Sequence, residues 1–337
     1  LSAALLRRSD HPATQFLIPV IHFLVKRFLV FVGTLLVVSG IIFALIRVIP
    51  GDPAQLILGV QATPETLGQL RHNLGLDLPW RVQYWDWVAA ALRGDFGQSI
   101  TYNVPIRSLI LSRLQVTFPL AFLAILLAVA LAFPSGIFAA LRWNRWGDYG
   151  VMVLSQIGLI VPAFWAGILL ILLFAVHLQW LPAGGFMPWN QSPLGSLKSL
   201  LLPALSLGLI RAAVLTRLTR SGMLEALGED YVRTARAKGL AENRVVYKHA
   251  FRNVLIPVVT ILGLQIGELL AGAIVIENVF HLPGLGRLIF LAIAQRDLPV
   301  VQAVGLLIAF FIVGVNFVVD LMVGIIDPRI RTGMERR

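Results

Sequence analysis

Arg217 to Pro257 reads RLTRSGMLEALGEDYVRTARAKGLAENRVVYKHAFRNVLIP, the one long polar, largely helical passage between strongly apolar runs. Eight cations fall in it up to Arg252 (Arg217, Arg220, Arg233, Arg236, Lys238, Arg244, Lys248 and Arg252), against four acids, Glu225, Glu229, Asp230 and Glu242. Leu224, Leu227, Tyr231 and Ala235 recur at three- and four-residue spacing, so a helix here presents one apolar face. Gly239, following Arg236 and Lys238, reads as a helix end with cations in its last turn. Such a face needs something to pack on. A basic interfacial helix resting on anionic lipid headgroups and a docking site for another protein fit the pattern equally well.

The surrounding chain narrows the choice. Of its 337 residues, 58% are hydrophobic and 13% charged, with a mean hydropathy of +0.82. Soluble domains carry about a quarter charged residues, so this is a polytopic membrane protein. The net charge of +11 raises nucleic acid as a partner. The cations, however, sit at the ends of apolar runs and read as topology signals instead. The absence of Cys excludes disulfides and thiolate metal sites. The first long apolar run starts after Lys26 and Arg27 without a small-residue cleavage pattern, so it is expected to remain as a signal-anchor helix.

Spanning a bilayer takes about 20 apolar residues. Six spans are expected, at Phe28–Ile49, Leu114–Leu141, Tyr149–Val176 (with Pro162 inside), Leu200–Leu218, Val254–Ile276 and Val300–Ile326. Arg47 lies near the far end of the first, close enough to the interface to snorkel. With both termini on one side, that side carries 18 of the 28 Lys and Arg residues and the opposite loops carry 8. The excess places the termini and the 217–253 loop in the cytoplasm. The loop from Pro50 to about Ser112 is too long for a simple connection. Its Trp80, Tyr84, Trp85 and Trp87 suit the headgroup level, so a small external subdomain lying on the membrane is expected.

No phosphate-binding GxxxxGK[ST], HExxH or GxSxG occurs, and the six His residues show no metal-ligand spacing. Catalysis within this chain is not expected. If transport consumes ATP, hydrolysis belongs to another subunit. Ionisable residues inside spans are functional candidates by default. Arg211 interrupts the fourth span, with Glu268 in the fifth and Asp320 in the sixth as candidate partners. They read either as a polar lining of a solute path or as a structural ion pair. Gly263 and Gly267 give the fifth span a GxxxG face, read as a packing surface within the subunit in preference to a dimer seam.

An ordered series of short motifs runs from about Lys26 to Arg331. It comprises Ile49-Pro-Gly-Asp-Pro53, Leu74-Gly-Leu-Asp77, Gly94-Asp-Phe-Gly-Gln-Ser99 and Pro162-Ala-Phe-Trp165, then Glu229-Asp-Tyr-Val-Arg-Thr-Ala-Arg-Ala-Lys-Gly239, His249-Ala-Phe-Arg-Asn253 and Pro257. Glu277, Pro283-Gly-Leu-Gly286, Arg296-Asp297-Leu-Pro299 and Asp327-Pro-Arg-Ile-Arg331 complete it. In this order they resemble the B-type permease subunits of dipeptide and oligopeptide ABC importers, a family that includes nickel- and glutathione-importing members.

The resemblance implies an all-α polytopic fold of the type I ABC importer permease. Its parts would be a cytoplasmic segment 1–27, a first transmembrane helix 28–49, an external subdomain 50–112, a five-helix core 113–326 holding the coupling loop 217–253, and a cytoplasmic tail 327–337. It implies a location in a bacterial-type cytoplasmic (inner) membrane. The partners would be a second homologous permease, two cytoplasmic ATPases carrying ATP and Mg, and an extracytoplasmic solute-binding protein, with no cofactor in this chain and no nucleic acid. The coupling residues would be Asp230, Tyr231, Ala235, Arg236, Lys238, Gly239 and His249. Aligned on Gly239, only Ala235 and Gly239 match the general Glu-Ala-Ala…Gly coupling pattern; Arg233-Thr-Ala235 and His249-Ala-Phe-Arg252 are the peptide-type variant. Arg211, Glu268 and Glu277 stand as candidates for the translocation path. An ion-coupled secondary transporter or channel working without an ATPase is the competing reading, with Arg211, Glu268 and Asp320 as its coupling sites.

Overall fold

The computed structural model describes residues 12–48, 53–58, 62–73 and 75–326. The start of the expected N-terminal segment, Ile49–Asp52 of the first motif, Leu74, and the tail from Asp327 lie outside the described residues. All regular elements among the described residues are helical. They are α1 (Pro12–Val48), α2 (Pro53–Leu58), α3 (Pro64–Asn73), α4 (Trp80–Leu92), α5 (Ile106–Leu141), α6 (Trp146–Ile160) and α7 (Ala163–Leu170, continued by a π-helical stretch Ile171–His177). There follow α8 (Pro193–Gly228), α9 (Asp230–Ala237), α10 (Glu242–Arg244, continued by a π-helical stretch Val245–Ala250), α11 (Phe251–Val279), α12 (Leu285–Ala294) and α13 (Leu298–Ile326).

Segments this apolar satisfy their backbone groups internally, which in a bilayer means helix. Among the described residues, five helical stretches are long and apolar enough to cross a membrane: those of α1, α5, α8, α10–α11 and α13. The third expected span, Tyr149–Val176, is not one straight rod. It divides into α6 and α7, bent by 107°, and makes the sixth crossing if the bent pair counts as one. Pro162 is the cause. It lacks an N–H, and its ring pushes Val161 out of the helical region, to φ −76° and ψ 120°. Pro119, Pro134, Pro203 and Pro257 lie inside unbroken helices, so a proline alone did not announce the bend.

The other spans run longer than their apolar cores. α1 takes in Lys26 and Arg27, and Arg27 Nη1 reaches Asp320 Oδ2 of α13 at 2.5 Å. Asp320 is thereby committed to α1 and not to Arg211. α8 continues through the first dozen residues of the polar stretch.

α5 and α8 run side by side at glycine-sized separation. A Cβ on Gly208 would lie 2.9 Å from the Ala124 carbonyl, and one on Gly136 would lie 2.9 Å from the Thr216 carbonyl. Small residues allow such approach where no hydrophobic drive between helices exists. Gly263 lies against Val319, and Gly267 against Ile312, so the GxxxG face of α11 is used inside the chain, on α13. One buried apolar cluster gathers Ile137, Leu215, Met223, Val232, Val245 and Val254 at the end of the bundle that carries residues 217–253. A second holds Leu120, Leu202, Leu207, Leu269 and Phe280, and a third joins Ile106 and Ile110 to Leu285 and Val300.

The aromatic helix α4 lies back on α1. Tyr84 Oη is 2.8 Å from Ser39 Oγ, Arg47 Nη2 donates to Gln83 Oε1 at 2.6 Å, and the Arg47 guanidinium sits 3.4 Å from the Phe43 ring centroid. Trp80 and Trp85 stay exposed on its outer side.

Candidate functional site

α8 ends at Gly228. Glu229 takes extended backbone (φ −71°, ψ 150°) and a new helix, α9, starts at Asp230. This break corrects the single apolar face expected from Leu224, Leu227, Tyr231 and Ala235. The phase of α8 is not carried into α9, so Val232 turns inward and is fully buried while Tyr231 is 39% exposed. Ala235 is buried beside Val232, on the underside of α9. Asp230, Arg233, Arg236 and Lys238 line its outer side with Tyr231.

The end of α9 is closed by Gly239. Its φ of +74° is the left-handed conformation that costs a residue with a Cβ about 1–2 kcal/mol. Gly239 N–H donates to Arg236 O at 2.9 Å and Leu240 N–H to Ala235 O at 3.3 Å, the paired bonds of a Schellman cap. A Cβ at Gly239 meets nothing within 4 Å, so the glycine is required by its backbone angle and not by space. Arg236 Nη2 bonds Glu242 Oε1 at 2.6 Å across the turn. The π-helical stretch that follows buries Val245, Val246 and Ala250 and leaves Tyr247 and Lys248 outside, with His249 half-buried. The whole loop is thus a capped helix and a wide turn whose apolar undersides share one core with α5, α8 and α11.

Three polar ties fix the helices behind this element, and none was legible as a pair in the sequence. Asp148, 1% exposed in the first turn of α6, takes both Nε and Nη2 of Arg220 from α8, at 2.5 and 2.6 Å, and the Asn144 N–H at 3.0 Å. Asp297, just before α13, accepts from Ser99 Oγ at 2.5 Å and from the N–H groups of Ile100 and Thr101 at 3.2 and 3.1 Å. Two motifs 198 residues apart are joined there. Glu277, fully buried at the end of α11, accepts from Thr117 Oγ1 at 2.6 Å and from the Arg287 N–H at 3.0 Å. Thr117 Oγ1 in turn accepts the Leu285 N–H at 2.9 Å. Glu277 therefore caps the first turn of α12 from another helix, the position where backbone N–H groups lack partners. Gly284 and Gly286 leave the room: a Cβ on Gly284 would overlap the Glu277 carboxylate.

The remaining candidates pair with each other. Arg211 Nη1 and Glu268 Oε2 form an ion pair across the antiparallel seam of α8 and α11. In the same seam Gly272 faces Leu207 and Gly222 faces Val254. The Arg211 side chain is 18% exposed and that of Glu268 is 69% exposed, so the pair lies at the open edge of the seam. The structure does not bring Glu277 into this pair. Among the described residues, no cluster of three or more His, Cys, Asp or Glu is arranged to hold a metal ion.

Residues 132–332 match the family described as binding-protein-dependent transport system inner membrane component, and residues 20–121 match its N-terminal companion. A peptide transport system permease protein of Brucella abortus (strain 2308) is 44% identical over 308 residues, covering 91% of this chain and 98% of that protein. A glutathione transport system permease protein of Salmonella typhi is 43% identical over 311 residues, covering 92% and 99%. With the family matched over more than half its length and relatives this similar end to end, the chain belongs to the inner membrane components of binding-protein-dependent transport systems, as a permease subunit of an ABC importer.

Proposed function

We propose that residues 217–253 are the element through which ATP hydrolysis in partner subunits moves this permease, and that its cargo is a peptide. The observation that carries the reading is the build of α9. It is a capped helix whose underside is part of the bundle core and whose outer side presents Asp230, Tyr231, Arg233, Arg236 and Lys238. Transmission between two sites needs a stiff element in contact with both, and this one has the core on one side and a charged, aromatic face on the other.

In this reading Tyr231, Arg236, Lys238, Asp230 and His249 contact the ATPase. Ala235 and Gly239 act from beneath, one by packing and one by ending the helix. The chain itself hydrolyses nothing; ATP and Mg belong to two cytoplasmic ATPase subunits. A second homologous permease completes the path. The distribution of Lys and Arg supports both termini and the 217–253 loop on the cytoplasmic side. Residues 50–112 and 277–299 would then meet the solute-binding protein outside, and residues 113–326 form the transporting core. Glu277 serves there by holding α12 in place. The peptide cargo is supported by relatives named for peptide and for glutathione transport.

The test uses the assembled complex. Arg236→Glu with Lys238→Glu, on the exposed face, is expected to abolish co-purification of the ATPase subunits or the ATPase stimulation by loaded binding protein, with permease levels unchanged. Full co-purification with full stimulation would refute the docking role.

A further inference from the structure

Arg211 sits at the middle of α8 and Glu268 near the middle of α11. The other carboxylates of the long helices are accounted for differently. Asp148 and Glu277 are buried and bonded within the chain, Asp320 pairs with Arg27 of α1, and Glu225 lies in the last turn of α8. Glu268 alone among these is both mid-helix and largely exposed, at 69%. A carboxylate at that depth does not face hydrocarbon; ionisable groups in spans turn toward water-filled routes or partners. Leu264 and Val275, one and two turns away, are also exposed, so the charge is a polar point on an otherwise apolar stripe. Gln265 lies one turn from Glu268, buried, with neither amide atom hydrogen-bonded.

We propose that Arg211 and Glu268 form a site in the solute's route that reads a zwitterion. The carboxylate of the solute takes the Arg211 guanidinium, and its ammonium takes the Glu268 carboxylate. The two side chains pair with each other when the route is empty, so neither charge is left alone. A solute with one charge replaces only half of that pairing and leaves the other residue without its counter-charge, which disfavours it. Planar guanidinium suits a carboxylate in two-point contact, which Lys would not reproduce. The inference rests on the import reading above and names the class of solute, one with both termini free. It places a second filter in the permease, beyond whatever the binding protein selects.

The test is uptake by the assembled transporter with its binding protein in ATP-loaded proteoliposomes. The probes are radiolabelled trialanine and trialanine amide, each at a concentration that saturates the binding protein. The variant is R211Q/E268Q, which removes both charges together. A pair with a purely structural role tolerates that exchange, since no charge is left unpartnered. The proposal predicts that stimulated ATPase activity persists while trialanine carried per ATP hydrolysed falls about tenfold, and that the preference for trialanine over its amide falls toward unity. Wild-type yield per ATP in the double variant, or an unchanged preference, would overturn it. Failure of the peptide-import reading looks different: the wild-type complex itself shows no ATP-dependent uptake of trialanine, and this proposal falls with it.

Discussion

Asp148 in the first turn of α6 and Arg220, 72 residues later in α8, meet in a two-point ion pair with the carboxylate 1% exposed. It locks the start of the bent α6–α7 pair to α8, the helix that leads into α9. Removing one member strands the other. Arg220→Ala is expected to destabilise the folded chain by about 3 kcal/mol, because Asp148 is then buried without its partner. Replacing both with Asp148→Asn and Arg220→Met is expected to cost less than the single change. The melting temperatures of the purified variants in one detergent decide the order.

Gly239 tests the cap. Its φ of +74° predicts the ranking Gly239, then Gly239→Asn, then Gly239→Ala, since Asn tolerates the left-handed region better than Ala. Gly239→Ala should cost about 1–2 kcal/mol locally and lower the ATPase stimulation by loaded binding protein, with the Asn variant in between. Equal stimulation in all three would show that the end of α9 carries no coupling.

The Glu277 cap makes a two-sided prediction. Glu277→Ala leaves Thr117 Oγ1 and the Arg287 N–H without their acceptor, a loss of about 1–3 kcal/mol. Gly284→Ala reaches the same outcome from the other side, by driving a methyl into the carboxylate. Both should raise amide hydrogen exchange in α12 while leaving α9 unchanged.

Ser99→Ala removes one of the three hydrogen bonds that join residues 94–105 to Asp297 and leaves the Ile100 and Thr101 N–H bonds. A hydrogen bond to a charged acceptor contributes about 1.5–3 kcal/mol. Protease cleavage between residues 93 and 105 should become faster in that variant than in the parent chain.

The helical class, the apolar segments of the crossings and Glu268 as one of two candidate partners of Arg211 were legible because each rests on one-dimensional signals: apolar run length, and rare charges within those runs. Gly239 was legible for a similar reason, as a glycine after cations at the end of a periodic stretch. Other features depend on three-dimensional phase. The spacing puts Tyr231 on the apolar face only of a continuous helix, and the break at Glu229 turns Val232 inward instead. Pro162 stands at a 107° bend where Pro119, Pro134, Pro203 and Pro257 lie inside unbroken helices, and nothing local in the sequence separates the two cases. Asp148 with Arg220, Ser99 with Asp297, and Thr117 with Glu277 join residues 72 to 198 positions apart, and no local pattern marks such partners.

The coupling role proposed for α9 can be tested directly because the chain contains no cysteine. Tyr231→Cys therefore supplies its only thiol, on the exposed side of the helix. The thiol is labelled with a benzophenone maleimide and illuminated in the assembled complex, with and without ATP. The account predicts a cross-link to the ATPase subunit whose yield changes with nucleotide. Cross-links to lipid alone, in a complex that still hydrolyses ATP in response to loaded binding protein, would contradict it.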